Sequence, residues 1–170
     1  MQLETDPGTR NRAKRPHNLF MLNLAVFHLL MTPAAIALNV GRLGLLLPLL
    51  LSLSTIAFTY FYSRKMAPRT AQFEYLHWRL ALRRYKYLVI AYAVTAALML
   101  LGHLLAMGSA DHNMQEIMDT VFIRIAIMPV LLTVMANFYL ESNAISMAGQ
   151  GIIPDAMLQQ QDTEMNTSEQ

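Results

Sequence analysis

Two histidines, His28 and His103, lie inside long apolar stretches, where an ionisable side chain is a candidate for function by default. Two inward-facing imidazoles could bind a b-type haem, or could carry protons, since histidine titrates near neutral pH. The depths argue against haem, because the two rings lie about 13 Å and about 24 Å from the inner ends of their stretches at ~1.5 Å per residue. No Asp or Glu lies within any apolar stretch to complete a proton relay. We therefore expect two structural, hydrogen-bonded histidines and no cofactor.

Arg124 and Asn137 are the other notable polar side chains, and both lie in the last apolar stretch. Asn137 shares a helical stripe with Thr133, whereas Arg124 lies about 180° from Thr133 at ~100° per residue. Because Arg124 is close to the predicted exocytoplasmic end of this apolar stretch, its long side chain could carry the guanidinium to the lipid headgroups. The alternative is a buried cation that pairs with Asp111 or Asp119, or that faces a partner subunit.

Three basic residues, Arg79, Arg83 and Lys86, share one helical stripe by their i, i+4, i+7 spacing. One interpretation is a docking stripe for anionic lipid or for an acidic partner. The plainer and favoured interpretation is that these charges only set topology, beside a belt of interfacial aromatic residues. The aromatic residues concerned are Tyr75, Trp78, Tyr85 and Tyr87.

The rest of the chain offers no constellation for catalysis. The absence of cysteine removes disulfides, thiolate metal sites and cysteine nucleophiles. There is no HExxH, GxSxG, P-loop, GxGxxG or CxxC motif. A surface metal site is conceivable between the third and fourth stretches, but acidic residues are also what topology favours in such a loop. We expect no catalytic residue and no metal. The loop residues concerned are Asp111, His112, Glu116 and Asp119.

Four apolar stretches must position these side chains: 19–40, 43–62, 87–107 and 121–140. Each is close to the ~20 residues that a helix needs to cross ~30 Å of hydrocarbon, and lipid leaves a stretch of this length no alternative to the helix. Three of them contain a proline, which membrane helices tolerate as a kink. The composition agrees, because 55% hydrophobic and 14% charged residues, with a mean hydropathy of +0.33, exclude an ordinary soluble domain.

Each stretch has one face of small and polar residues, which is where membrane helices approach one another closely. The economical architecture is therefore all-α: a bundle of four transmembrane helices with these faces inside. The faces are formed by His28, Thr32, Ala35 and Asn39; by Pro48, Ser52, Thr55 and Thr59; by Tyr92, Thr95, Met99, Gly102, His103 and Ala106; and by Pro129, Thr133 and Asn137.

The charges orient this bundle. Eleven of the thirteen Lys and Arg precede the first stretch or lie between the second and third. The positive-inside rule then places both termini in the cytoplasm of a bacterial-type inner membrane. The basic residues follow the topology, so the pI of 9.0 does not indicate a nucleic-acid partner and we expect none.

The same pattern divides the chain into segments. We predict a basic cytoplasmic segment at 1–18, a transmembrane domain at 19–147 with a cytoplasmic connector helix at 63–86, and a disordered acidic tail at 148–170. Asn113 with Glu116 has the form of a capping box, so the last helix is predicted to begin after Asn113. Cleavage of residues 1–37 as a signal peptide remains an alternative.

The function predicted from these features is non-enzymatic. A scaffold or accessory subunit of a larger membrane assembly is favoured, because no catalytic constellation is visible while extended helix ends and small-residue faces suit partner helices. The expected partners are the lipid bilayer, a membrane protein or further copies of the chain, and in the docking-stripe interpretation anionic lipid. The alternative is a small oligomeric transporter or channel with His28 and His103 lining a path, and a membrane cytochrome or enzyme is third.

Overall fold

The computed structural model of the chain describes residues 4–38, 41–66, 72–155 and 157, and this part contains helices and no strand. The first helix continues through a π-helical segment, and the last two helices are much longer than a membrane span. The elements are α1 (Pro7–Leu22), the π segment (Asn23–Met31), α2 (Thr32–Ala37), α3 (Gly41–Met66), α4 (Gln72–Met107) and α5 (His112–Gln150).

Four helical stretches are long and apolar enough to cross a membrane. Their mean hydropathies lie between 1.4 and 2.2, so the prediction of an all-α protein with four helices of spanning length is confirmed. Pro48 lies inside α3 and Pro129 inside α5, and neither ends its helix. The four stretches are Pro7–Ala35, Leu46–Lys65, Gln72–Met107 and His112–Gln150.

The start of α1 is fixed by Asp6. Its carboxylate accepts a hydrogen bond from the Thr9 amide at 3.0 Å and another from the Thr9 hydroxyl, which satisfies a free donor of the first turn. Pro7 follows at the first helical position, where a missing N–H costs nothing. The hydrogen bonds from the Thr9 hydroxyl and amide hold the pKa of Asp6 below its ordinary value.

The bounds of α5 differ from the prediction at its start. The Asn113 amide donates to the Asp111 carboxylate at 2.9 Å, so Asp111 is the capping residue and the prediction of Asn113 as the cap was wrong. At the other end, Gly151 has a φ of 74°, and the Ile152 amide donates to the Met147 carbonyl at 2.9 Å. This is the left-handed glycine closure that satisfies the last carbonyls of a helix.

The chain divides into two compact units. Unit 1 comprises Met1–Arg83 and Phe138–Gln170, and unit 2 comprises Arg84–Asn137. Unit 1 has a hydrophobic core, called here the unit 1 core, made by α1, the first turns of α4, the last turns of α5 and the residues after α5. Its members are Ala13, Phe73, Leu76, Leu80, Ala144, Ala148, Ile153 and Met157.

The unit 1 core lies in segments of the chain that flank the predicted spans. Ile153 and Met157 are buried although they belong to the segment 148–170. The stretch 158–170, all of which belongs to the predicted disordered tail, lies outside the described residues, as does Asn39.

Unit 2 is a helical hairpin held by close approach of its two helices. A Cβ atom on Gly102 would lie 2.3 Å from the Phe122 Cβ, so only glycine fits at this crossing. The Thr95 hydroxyl donates to the Ala126 carbonyl at 2.6 Å. Close backbone packing and hydroxyl hydrogen bonds of this kind stabilise helix pairs in membranes.

Candidate functional site: a buried histidine–glutamate cluster

Three polar side chains from three helices of unit 1 form a continuous hydrogen-bonded cluster. The Nδ1 of His17 lies 2.6 Å from a carboxylate oxygen of Glu141, and the Nε2 of His17 lies 2.9 Å from the Nδ1 of His77. The two imidazole rings meet edge to face, with centroids 5.2 Å apart. We call His17, His77 and Glu141 the His–Glu cluster. Its members are at most 1% exposed.

Each member of the cluster sits in an apolar stripe of its own helix. His17 lies four residues after Ala13 and three before Phe20, both fully buried. Residues at i, i+3, i+4 and i+7 share one helical face, so the stripe that buries the apolar side chains also buries the polar one. The corresponding stripes are Phe73, His77 and Leu80 on α4, and Glu141, Ala144 and Ala148 on α5.

The geometry restricts where hydrogens can lie. While Glu141 is ionised it can only accept, so the Nδ1 of His17 donates to it. The other nitrogen of His17 then either accepts from His77 or donates to it. The first choice leaves His17 neutral and the second makes it an imidazolium, so the cluster has two hydrogen-bonded arrangements that differ in protonation.

A salt bridge joins α1 and α4, two of the three helices that form the cluster. The Nε of Arg12 donates to a Glu74 carboxylate oxygen at 3.1 Å. Glu74 is buried, whereas the Arg12 side chain is 46% exposed and also donates to the Thr9 hydroxyl at 2.9 Å. Because a buried carboxylate is costly without a partner, Arg12 is what allows Glu74 to lie against the unit 1 core.

The arrangement does not suit a metal ion. Within the described ranges, no three His, Asp or Glu side chains are placed to hold one. In the His–Glu cluster the reason is visible, because the two nitrogens of His17 point to two different partners and the three side chains do not converge on one position. The cluster is therefore a line of hydrogen bonds rather than a set of ligands around one position.

The histidines singled out from the sequence lie in different units. His28 is buried in the π segment of unit 1, as is Asn23, whose side-chain nitrogen donates to the Ser52 carbonyl at 3.5 Å. In unit 2, the His103 side chain is 56% exposed, and its Nδ1 lies 4.0 Å from a carboxylate oxygen of Asp119. Neither histidine belongs to the His–Glu cluster.

The polar residues of α5 differ in burial. Asn137 is buried, and its amide oxygen and nitrogen have no hydrogen-bond partner among the described residues. Arg124 is exposed and forms no ion pair with a described residue, Asp111 and Asp119 included.

The docking stripe is partly used within the chain. Arg79 is half-buried, with its guanidinium 6.0 Å from the Tyr75 ring centroid, whereas Arg83 and Lys86 are exposed. Trp78 is buried and packs against Tyr62 with centroids 4.6 Å apart. Two of the four aromatic residues proposed for an interfacial belt, Trp78 and Tyr85, are therefore buried in their units.

Sequence reasoning did not find the cluster. The candidate polar residues were taken from within the apolar stretches. His17 and His77 lie outside these stretches, and Glu141 directly follows the last one. The sequence does contain a signal that these residues are buried. Each of them shares a helical face with apolar residues, at i, i+4, i+7 or i, i+3, i+7 spacing, in a part of the helix beyond the predicted span. Which stripe meets which could not be read from one sequence.

Comparison with known proteins finds no matching family, no similar curated protein and no similar solved structure.

Proposed function

We propose that the chain is an integral membrane protein that acts as a non-enzymatic scaffold or accessory subunit of a larger membrane assembly. The observation that carries this is the unit 1 core, which is built by α1, the start of α4 and the end of α5. Helices that only cross a bilayer need no packed core in their flanking segments. A core there holds the helix extensions in a fixed arrangement, and a preorganised surface lowers the ordering cost of binding a partner.

The surface around this core is basic. Arg15, Arg64, Lys65 and Arg83 are exposed on unit 1. Exposed cations of this kind attract an acidic protein surface and anionic lipid headgroups. We propose an acidic membrane-protein partner as the main ligand, with anionic lipid as a second one.

The proposed location is a bacterial-type inner membrane with both termini in the cytoplasm. The support is the distribution of Lys and Arg along the sequence. The loops predicted on the exocytoplasmic side contain almost no basic residues. Reporter fusions after Lys65 and after Asp111 should give cytoplasmic and exocytoplasmic signals, respectively. The reverse pair of signals would exclude this orientation.

The assembly proposal is tested by purifying the tagged full-length chain from its native membrane in mild detergent, followed by native mass spectrometry. We expect a second membrane protein in a fixed ratio to the chain. Replacing Arg79, Arg83 and Lys86 together by Gln should lower that ratio, and added salt should lower it as well. Glu116→Gln, which removes a charge from an exposed side chain between the third and fourth predicted spans, is the control and should leave the ratio unchanged. A chain that is recovered alone, or only with copies of itself, argues against the accessory role.

A small oligomeric transporter or channel is the second candidate. The observation that favours it is the π segment within the first membrane-competent helix, which buries the two polar side chains Asn23 and His28. Departures from α-helical geometry are frequent at functional sites. Flux of an ion or proton into proteoliposomes that contain only this chain, lost in His28→Leu, would favour this class. A Soret band in the purified protein would instead favour a cytochrome, the third class.

A further inference from the structure

The His–Glu cluster is distinct from the proposed docking surface, because its three side chains are buried whereas Arg83 and Lys86 are exposed. Three ionisable side chains in direct hydrogen-bond contact within an interior are rarely placed there for packing alone, since burying a polar group costs free energy unless it is satisfied. Here the contacts are arranged in a line, with His17 in the middle and each of its nitrogens used.

We propose that His17, His77 and Glu141 form a site that binds one exchangeable proton. In the form without this proton, Glu141 is a carboxylate, His17 donates from Nδ1 to it, and His77 donates from Nδ1 to the Nε2 of His17. Both rings are then neutral and the cluster carries one negative charge. This arrangement uses the distances of 2.6 Å and 2.9 Å without moving a heavy atom.

Binding of the proton rearranges only N–H bonds. The proton forms an N–H bond at the Nε2 of His77, the bond between His77 Nδ1 and its hydrogen breaks, and that hydrogen forms a new bond to the Nε2 of His17. His77 ends as a neutral imidazole and His17 as an imidazolium beside the Glu141 carboxylate. The cluster has gained one proton and its net charge has changed from −1 to zero.

In the proton-bound form the Glu141 carboxylate has a cationic neighbour, and the buried Nε2 of His77 carries a hydrogen. A net negative charge among apolar side chains is costly, and an imidazolium next to the carboxylate removes it at hydrogen-bond distance. Of the neighbouring charges, Arg12 and Glu74 neutralise each other in their salt bridge. The other cations of α1 and of the unit 1 part of α4 are Arg10, Lys14, Arg15, Arg79 and Arg83, and Lys14 lies beside Gly149 of α5.

Histidine is the side chain whose ordinary charge change lies between about pH 5 and 8, so pH is the variable that tests the site. Neither function proposed above requires the exchangeable proton. A proton bound between α1, α4 and α5 couples the packing of unit 1 to the pH on its side of the membrane.

The experiment is NMR of the full-length chain in lipid bilayers, with ¹⁵N-labelled histidine, between pH 5 and 9. The chain has five histidines, and His17→Gln and His77→Gln assign the two relevant ring signals. We expect the His17 Nε2 signal to shift from the non-protonated to the protonated range as the pH falls. The His77 signals should report the change of tautomer with the same midpoint. Exposed His112 serves as the control and should titrate independently.

Glu141→Gln is the decisive variant, because it keeps the size of the side chain and its acceptor while removing the charge. We expect the shared transition of His17 and His77 to be lost and His17 to stay neutral down to pH 5. The fluorescence of Trp78, the single tryptophan, checks that unit 1 still folds. If this variant does not fold, the titration of the unmodified chain decides alone.

Three results would overturn the proposal. The first is the absence of a shared transition of His17 and His77 in the unmodified chain. The second is a transition that persists unchanged in folded Glu141→Gln. The third is a shift of the His17 signals by stoichiometric Zn²⁺ at constant pH, which would make the cluster a metal site rather than a proton site.

Discussion

The two units of this chain manage polar residues in opposite ways. Unit 1 buries them: His17, His77 and Glu141 are enclosed and bonded to one another, and Glu74 is enclosed with Arg12 as its partner. Unit 2 buries Arg84 and Asn137 but exposes most of its other charged and histidine side chains, including His103, and its helices are held together by close contact at Gly102 and by a hydroxyl-to-carbonyl hydrogen bond. Helices of similar hydropathy can therefore be stabilised in different ways, by buried polar contacts in unit 1 and by close helix packing in unit 2. Each unit should be most sensitive to substitutions that disturb its own kind of contact.

Loss of a member of the His–Glu cluster should have the largest effect. Glu141→Ala removes the carboxylate and leaves the Nδ1 of His17 without its acceptor inside unit 1. Breaking a buried charged pair by removing one partner costs about 3–5 kcal/mol. We expect a loss of this size in the free energy of unfolding, measured by circular dichroism during denaturation in detergent.

Glu116→Ala is the matched control, because Glu116 is an exposed carboxylate on the same helix. Its unfolding free energy should stay within about 0.5 kcal/mol of the unmodified chain. Equal losses at the two positions would show that unit 1 does not depend on its buried polar contacts.

The weak point of unit 2 should be steric. Gly102→Ala places a Cβ 2.3 Å from the Phe122 Cβ, so the helices must move apart. Overpacking of this kind costs about 1–3 kcal/mol. Gly108→Ala is the control, since its Cβ would meet the nearest atom, a backbone oxygen, at 3.4 Å. Gly102→Ala combined with Phe122→Gly should recover part of the loss relative to the sum of the two single variants, because glycine removes the Cβ that causes the contact. If Gly102→Ala proves harmless under the same denaturation assay, close approach is not what holds the hairpin.

How far the sequence predicts this structure also differs between the units. The four apolar helices follow from length and hydropathy, because lipid or apolar packing permits few alternatives to a helix of that length. The stripe with Thr95 and Gly102 was visible in the same way, since small and polar residues recur at helical spacing. The start of α5 was predicted two residues too late, because Asp111 and Asn113 are equally good capping residues and spacing alone does not choose between them.

The candidate site was not predictable to the same degree. His17, His77 and Glu141 are separated by 60 or more residues in the chain, and their meeting depends on which faces of α1, α4 and α5 pack together. A single sequence gives the faces of each helix but not their pairing. The π segment gave no signal either, because its composition is that of an ordinary apolar helix.

A smaller effect is expected at His103, and it tests whether exposed polar residues of unit 2 matter for folding. Its Nδ1 is 4.0 Å from Asp119, and hydrogen bonds between membrane helices average about 0.6 kcal/mol. We expect His103→Gln to keep the thermal stability of the chain in detergent, and His103→Leu to lower it slightly. A variant His103→Gln that folds normally but abolishes function in the cell would instead favour the transporter class.

The smallest predicted effect concerns Asp6, at the start of α1 in unit 1. Hydrogen bonds from the Thr9 hydroxyl and the Thr9 amide hold its pKa in the folded chain below the ordinary value of 3.8. A carboxyl group whose pKa is lower in the folded state stabilises that state above its unfolded pKa, and the contribution disappears as the pH falls through the folded pKa. The first turn of α1 should therefore loosen below a pH of about 4, where Asp6 begins to take up a proton.

The measurement is hydrogen exchange at the first turn of α1, followed from pH 6 to pH 3. Asp6→Asn is the reference at each pH, because asparagine is an equally good capping residue that does not titrate in this range. Two results are possible at pH 3. The first is equal exchange in the two chains, which would mean that protonation of Asp6 weakens the cap little. The second is a loss of protection in the unmodified chain relative to Asp6→Asn, which would mean that the cap depends on the charge of Asp6. The lowered pKa of Asp6 requires the second result. Identical protection at all pH values would show that the Thr9 contacts do not depend on the ionised carboxylate, and the pH sensitivity of unit 1 would then have to come from its interior rather than from its helix ends.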